Sequence, residues 1–187
     1  MKALGKGSVA SIVRVGLLIA WIVLWIAATA LLIGALVSAG FFILLGVHAI
    51  KFDIDNASVF QYWPLVGFGF VIGAIVIGGS LIIVWRLRRL FANFVSGDPF
   101  HKSNADHLRA IWITLLVMEI SRYALMIVIG AWLLTAHLPE DDDHHVSFHG
   151  ADHGPDLSTW FVILILIVLA EVFREGARMR EEQELTI

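Results

Sequence analysis

The stretch that decides the fold is residues 15–47, VGLLIAWIVLWIAATALLIGALVSAGFFILLGV, in which only Thr29 and Ser38 are weakly polar. A cleavable secretory signal has an apolar core of about 7–15 residues, so this run is too long to be one. As a helix it would be about 50 Å long, against a hydrocarbon core of about 30 Å. We therefore predict a tilted or projecting transmembrane helix, with a re-entrant hairpin as the alternative.

Three further apolar runs follow, at residues 65–85, 111–136 and 157–173. The chain has 187 residues, of which 59% are hydrophobic and 16% are charged. Soluble domains average about 45–50% apolar residues, so a water-soluble core cannot absorb this much apolar surface. The fold class that we predict is an all-α membrane protein with four transmembrane helices, forming one integral membrane domain over residues 1–187.

The charges between the runs predict the orientation of the chain, because basic residues concentrate in cytoplasmic loops. All of the 13 Lys and Arg residues except Lys51 and Arg122 fall on one side if every run crosses the bilayer. We expect both termini on that cytoplasmic side, and a hairpin in the first run would separate these basic segments. The cytoplasmic segments are then the loop 86–110 and the tail 174–187, and the outer loops are 48–64 and 137–156.

A short amphipathic segment follows the second run, with apolar residues at helical spacing beside three arginines. The apolar residues are Leu87, Leu90, Phe91 and Phe94, and the arginines are Arg86, Arg88 and Arg89. This pattern predicts a short interfacial amphipathic helix between the second and third spans, extending the second helix along the lipid headgroups. Gly97 would stop this helix, and Asn104 would cap the third span.

Glycines are frequent in the second run, where Gly69 and Gly73 have a small-xxx-small spacing. Small residues at this spacing let helix backbones approach closely in lipid. The alternative is that the glycines serve no packing purpose, since transmembrane helices tolerate glycine in general.

Several short motifs resemble those of a known group. They are Phe91, Gly97-Asp98-Pro99-Phe100, Asn104, Leu108-Arg109 and the terminal Glu182-Gln183-Glu184-Leu185-Thr186-Ile187. Through them the chain resembles the YoaS-like family of bacterial membrane proteins over most of its length. The resemblance implies four transmembrane helices and an unknown biochemical function. Members of that family are often encoded beside a small helix-turn-helix regulator, so it also implies a small cytoplasmic DNA-binding protein as a partner.

The outer loop 137–156 is rich in histidine and aspartate. Imidazole and carboxylate groups are good ligands for divalent zinc, copper or nickel. The alternatives are a solvated polar loop and a loop whose histidines sense pH. The candidate metal ligands are His137, His144, His145, His149, His153 and Asp152.

Glu119 and Arg122 are charged residues about halfway along the third run, at a spacing of i, i+3. Charges at that depth are costly and normally face a bundle interior or a water-filled cavity. They form a predicted intramembrane polar pair, which is either functional or a mutually neutralising structural pair.

No residue pattern supports catalysis or a bound cofactor. The chain has no cysteine and no motif of a serine hydrolase, a phosphate-binding glycine loop or a zinc protease, so we expect no enzymatic activity. His48 and His137 end the first and third runs at the rim, whereas haem ligands are usually buried inside a helical bundle. We therefore predict no cofactor, and haem in particular is not expected.

The tail 174–187 changes from basic to acidic and ends in apolar residues. Such a segment suits a basic cytoplasmic partner, with a solvated helix end as the alternative.

We predict a small membrane regulatory or interaction protein that does not itself bind nucleic acid. The alternatives are a subunit of a small transporter or channel using Glu119 and Arg122, as a homo-oligomer, and an outer-face divalent metal binder. The candidate partner-binding residues are Arg86, Arg88, Arg89, Glu181, Glu182, Glu184, Leu185 and Ile187.

Overall fold

The structure is a computed structural model that describes residues 9–52, 63–95, 102–135 and 156–184. These ranges form four α-helices, each long and apolar enough to cross a membrane. The prediction of an all-helical chain with four such helices is confirmed for this part of the sequence, and it suggests a multi-pass membrane protein. The helices are α1 (Val9–Phe52), α2 (Trp63–Val95), α3 (Lys102–Thr135) and α4 (Leu157–Glu184).

Helix α1 is uninterrupted over its 44 residues, so the hairpin alternative for the first run is not observed. At about 1.5 Å per residue it is about 66 Å long. The helix contains no proline, and the two polar side chains of the apolar run 15–47, Thr29 and Ser38, bond within the helix. The Thr29 hydroxyl donates to the Ile26 carbonyl at 2.8 Å, and the Ser38 hydroxyl donates to the Ala35 carbonyl at 3.2 Å. These bonds satisfy both hydroxyls without water.

Helix α2 continues through the amphipathic segment and ends at Val95, so the predicted interfacial helix is not a separate element. Pro64 lies in its first turn, where a missing backbone N–H does no harm. Gly97 lies outside the described residues.

Two further helix starts differ in how they are capped. Asn104 lies two residues inside α3, so its predicted role as the cap of that helix is wrong. Asp156 caps α4, because its carboxylate accepts from the Ser158 N–H at 3.1 Å and from the Thr159 hydroxyl at 2.7 Å. An aspartate that accepts from the first turn is a favourable N-cap, and the sequence Asp-Leu-Ser-Thr carried that signal.

The chain divides into two compact units, which we describe separately. Unit 1 comprises Met1–Trp25, Gly78–Met118 and Pro155–Ile187, and unit 2 comprises Ile26–Ile77 and Glu119–Gly154.

The core of unit 1 contains Leu90, Leu108 and Ala170, which are all buried. The Phe94 ring packs beside them, with its centroid 5.9 Å from that of Phe91 and 6.0 Å from that of Phe173. The apolar face of the amphipathic segment therefore packs against α3 and α4. The prediction that this face lies along lipid headgroups is wrong, because the neighbouring helices supply enough apolar surface to cover it.

In unit 2, α1 and α2 approach closely at glycines. A Cβ atom added at Gly73 would overlap Cδ1 of Leu31, and one added at Gly34 would lie 3.4 Å from Cε1 of Phe70. A Cβ atom at Gly69 would meet no atom within 4 Å. The predicted close approach is thus found at Gly73 and not at Gly69.

We expect replacement of Gly79 by isoleucine to destabilise the protein, because this buried glycine of unit 1 packs against Met118. An added Cβ would overlap the Met118 sulfur and lie 2.7 Å from its Cγ. Overpacking of this kind costs about 1–3 kcal/mol. Gly78→Ile is the matched control, since it makes the same change one residue earlier, where nothing lies within 4 Å. The check is the apparent melting temperature in detergent, and equal melting temperatures for the two variants would contradict the expectation.

Candidate functional site

A polar junction connects α2 and α3 inside unit 1. The Asn93 amide donates to the Asn104 side-chain oxygen at 2.6 Å and to the Ser103 hydroxyl at 3.2 Å. The Asn104 residue is 0% exposed. A buried amide is costly unless it is hydrogen-bonded, so these contacts hold the two helices in one register.

Arg86 and His107 extend this junction. Nη1 of Arg86 lies 3.4 Å from Nδ1 of His107, and His107 is buried. A guanidinium can only donate, so Nδ1 of His107 is the acceptor in this contact. Cζ of Arg86 also lies 4.7 Å from the centroid of the Trp85 ring, and its buried Nε has no hydrogen-bond partner in the part of the chain described. Arg86 is therefore directed into the junction, unlike Arg88 and Arg89 of the same amphipathic segment.

Arg88 and Arg89 line a cavity of about 430 Å³ together with Arg14 of α1. Two indole rings, of Trp21 and Trp85, form the aromatic part of its wall. Cζ of Arg88 lies 5.5 Å from the centroid of the Trp21 ring, and Cζ of Arg89 lies 4.2 Å from that of Trp85. Both distances fall within the range of a cation–π contact. The cavity, which we call the arginine pocket, is thus lined by three arginines from two helices.

Arg14, Trp21 and Trp85 are not among the site residues predicted from the sequence. The sequence does mark two of them as residues at the ends of apolar runs, because Arg14 directly precedes the first run and Trp85 ends the second. The meeting of these two run ends could not be read from the sequence.

The charged end of α4 is exposed and contains several ion pairs. Arg178 pairs with Glu175 at 2.7 Å and with Glu182 at 3.5 Å, and Arg174 pairs with Glu171. The side chains in these pairs are between 47% and 71% exposed. Exposed ion pairs of this kind contribute little to stability.

The remaining candidate partner-binding residues are dispersed. Glu181 and Glu182 are exposed at the end of α4. Glu184 is the last residue of that helix, and Leu185 and Ile187 lie outside the described residues. The structure therefore brings the basic candidates Arg88 and Arg89 of α2 together at one cavity. The acidic candidates Glu181, Glu182 and Glu184 lie in another helix, α4.

In unit 2, the structure joins Glu119 and Arg122 directly. Nη2 of Arg122 donates to Oε1 of Glu119 at 2.9 Å and to the Tyr123 hydroxyl at 3.3 Å. The Glu119 side chain is 9% exposed, whereas that of Arg122 is 47% exposed. Contact with the guanidinium offsets part of the cost of burying the carboxylate.

The candidate metal ligands His137, His144, His145, His149, His153 and Asp152 all lie outside the described residues. Across 9–52, 63–95, 102–135 and 156–184, no group of three or more His, Cys, Asp or Glu could hold a metal ion. The metal site in the outer loop stays a prediction. His48 is part of α1, and His137 lies beyond the described end of α3.

Comparison with known proteins gives one match. Residues 53–187, well over half of the chain, match the family described as "Protein of unknown function (DUF2975)". No curated protein and no solved structure matches the chain.

We expect Glu119 and Arg122 to be energetically coupled more strongly than Glu171 and Arg174. Both pairs have the spacing i, i+3 with glutamate first, but the Glu119 side chain is 9% exposed and that of Glu171 is 59% exposed. Residues in one ion pair couple by about 0.5–3 kcal/mol, whereas exposed pairs give about 0–1 kcal/mol. Double-mutant cycles of unfolding with Glu→Gln and Arg→Gln at each pair measure this difference. A coupling for Glu119 and Arg122 no larger than that of the α4 pair would contradict the expectation.

Proposed function

The chain belongs to the DUF2975 family of proteins of unknown function, and on that premise we propose that it is a membrane regulatory or interaction protein. We infer that its four apolar helices cross the bacterial cytoplasmic membrane with both termini in the cytoplasm. The finer identification, a YoaS-like protein that holds a small helix-turn-helix regulator, is part of the same proposal. We further propose that the chain catalyses no reaction and binds no cofactor.

The observation that supports an interaction role most strongly is the end of α4. The helix continues past its last large apolar residue of the fourth run, Phe173, into a charged segment that stays helical to Glu184. Ala177 is buried on one side of this segment, while Arg178 and Glu182 are exposed on the other. An ordered, charged helix end beyond an apolar span offers a partner a preformed surface, which lowers the entropy lost on binding.

The chemistry of this surface favours a basic partner. Beyond Arg178 and Arg180, the acids Glu181, Glu182 and Glu184 follow within one helical turn. Oppositely charged surfaces speed association and select between partners. A small DNA-binding regulator carries the required positive charge, and holding it at the membrane would keep it from DNA.

The polar pair in α3 supports a second candidate function, a subunit of a small transporter or channel. Glu119 is buried within an apolar helix, and such residues are functional candidates by default. Four helices leave little room for a pathway, so this function would require a homo-oligomer. Solute flux in liposomes that is lost when both Glu119 and Arg122 are neutralised would favour it over the regulatory role.

The proposed orientation predicts which residues an impermeant maleimide labels in intact cells. The chain contains no cysteine, so single-cysteine variants can be made directly in the natural sequence. We expect Ser147→Cys to react in intact cells, and Ser8→Cys and Thr186→Cys to react only after permeabilisation. Labelling of all three before permeabilisation, or of none after it, would contradict the proposed topology.

The proposed partner predicts a charge-dependent interaction of the α4 end. We expect Glu181→Gln/Glu182→Gln/Glu184→Gln to weaken binding of the co-purified regulator by about tenfold at low salt, because electrostatic steering is lost. The loss should shrink as the salt concentration rises. Binding is measured with full-length protein purified from detergent-solubilised membranes.

The matched control removes three negative charges from the outer loop, as Asp141→Asn/Asp142→Asn/Asp143→Asn. It should bind the regulator as tightly as the natural sequence. Equal losses in the two triple variants would mean that net charge, and not the α4 end, governs the interaction.

A further inference from the structure

We propose that the arginine pocket binds the phosphate group of an anionic phospholipid. The site comprises Arg14, Arg88 and Arg89 with the indole rings of Trp21 and Trp85. The inference rests on the membrane location proposed above, and it assigns Arg88 and Arg89 to a lipid and not to a protein partner.

The size and charge of the cavity suit such a ligand. Its volume of about 430 Å³ lies within the range of about 300–1,000 Å³ that is usual for small-molecule sites. Three arginines line it, one from α1 and two from α2. No carboxylate lies within 4.0 Å of Arg14, Arg88 or Arg89 in the described ranges, so their charge is not neutralised there.

Two arginines of the pocket lie within cation–π distance of indole rings. Arg89 lies 4.2 Å from the Trp85 ring centroid and Arg88 lies 5.5 Å from that of Trp21. A guanidinium that contacts an aromatic ring through its face still presents its N–H groups in the plane, where they can bind phosphate oxygens as a bidentate pair. A cation–π contact therefore leaves these donors available for a phosphate group.

The position of the pocket along the apolar runs favours a lipid over a soluble anion. Arg14 immediately precedes the first apolar run, and Trp85 is the last residue of the second. Tryptophan and arginine at run ends belong at the headgroup level of a bilayer. The remaining wall includes Leu17 and Phe91, which would contact an acyl chain but offer nothing to free phosphate.

The test compares lipid retention by full-length variants purified from membranes, measured by native mass spectrometry. We expect Arg14→Gln/Arg88→Gln/Arg89→Gln to retain phosphatidylglycerol on the order of tenfold less than the natural sequence, since each basic residue near the headgroups adds to the attraction. The control Lys102→Gln/Arg109→Gln/Arg174→Gln also removes three positive charges from the same proposed side, but none from the pocket. Equal retention by the two triple variants would overturn the proposal.

A second measurement separates the possible sources of phosphate. In detergent, we expect phosphatidylglycerol to raise the melting temperature of the natural sequence, and phosphatidylcholine and inorganic phosphate to leave it unchanged. An equal rise with inorganic phosphate would overturn the lipid assignment in favour of a soluble anion, and no rise with phosphatidylglycerol would overturn the site altogether. Because this measurement uses only the natural sequence, it tests the lipid site even if the triple glutamine variant does not fold.

The failure of the inference is distinguishable from failure of the proposed function. Carbonate washing of membranes removes peripheral proteins, so a chain that is washed off contradicts the membrane location itself. A chain that resists washing but shows no preference for phosphatidylglycerol contradicts only the lipid site.

Discussion

Backbone hydrogen bonding inside uninterrupted helices is the interaction on which the rest of this structure depends. An apolar environment offers no water to N–H and C=O groups, so only a chain that satisfies them internally can enter one. Helix α1 does so over 44 residues, and even Thr29 and Ser38 turn their hydroxyls to carbonyls of the same helix. The helices can then leave large apolar side chains exposed, as Ile127 and Leu157 are.

Polar contacts fix the register between helices, which apolar packing alone would leave undefined. Asn93 and Asn104 connect α2 to α3, and Arg86 meets His107 in the same unit. Hydrogen bonds are directional, so they select one helix register where apolar packing accepts several. The aromatic and aliphatic residues beside them, such as Phe94 and Leu90, then fill the space around a fixed frame.

The surroundings of Arg86, Arg88 and Arg89 give these neighbouring arginines different contacts. Arg86 is directed toward a buried histidine, whereas Arg88 and Arg89 face a cavity that a third arginine enters from α1. Arg86 and Arg89 lie three positions apart and both contact the Trp85 ring, yet only Arg89 lines the cavity. One basic segment therefore provides both a contact to a buried histidine and the lining of a cavity that we propose binds an anion, while the charges of α4 are exposed.

The number, type and order of the helices were determined by the sequence itself, because helix formation depends on local hydrogen bonds and the apolar runs are long. The local pairing of Glu119 with Arg122 follows from the same i, i+3 geometry. Tertiary structure alone decided that the amphipathic face packs in a core, that Asn104 meets Asn93 and that Arg14 joins Arg88. These contacts join residues distant along the chain, and their free energy exists only after the helices have packed.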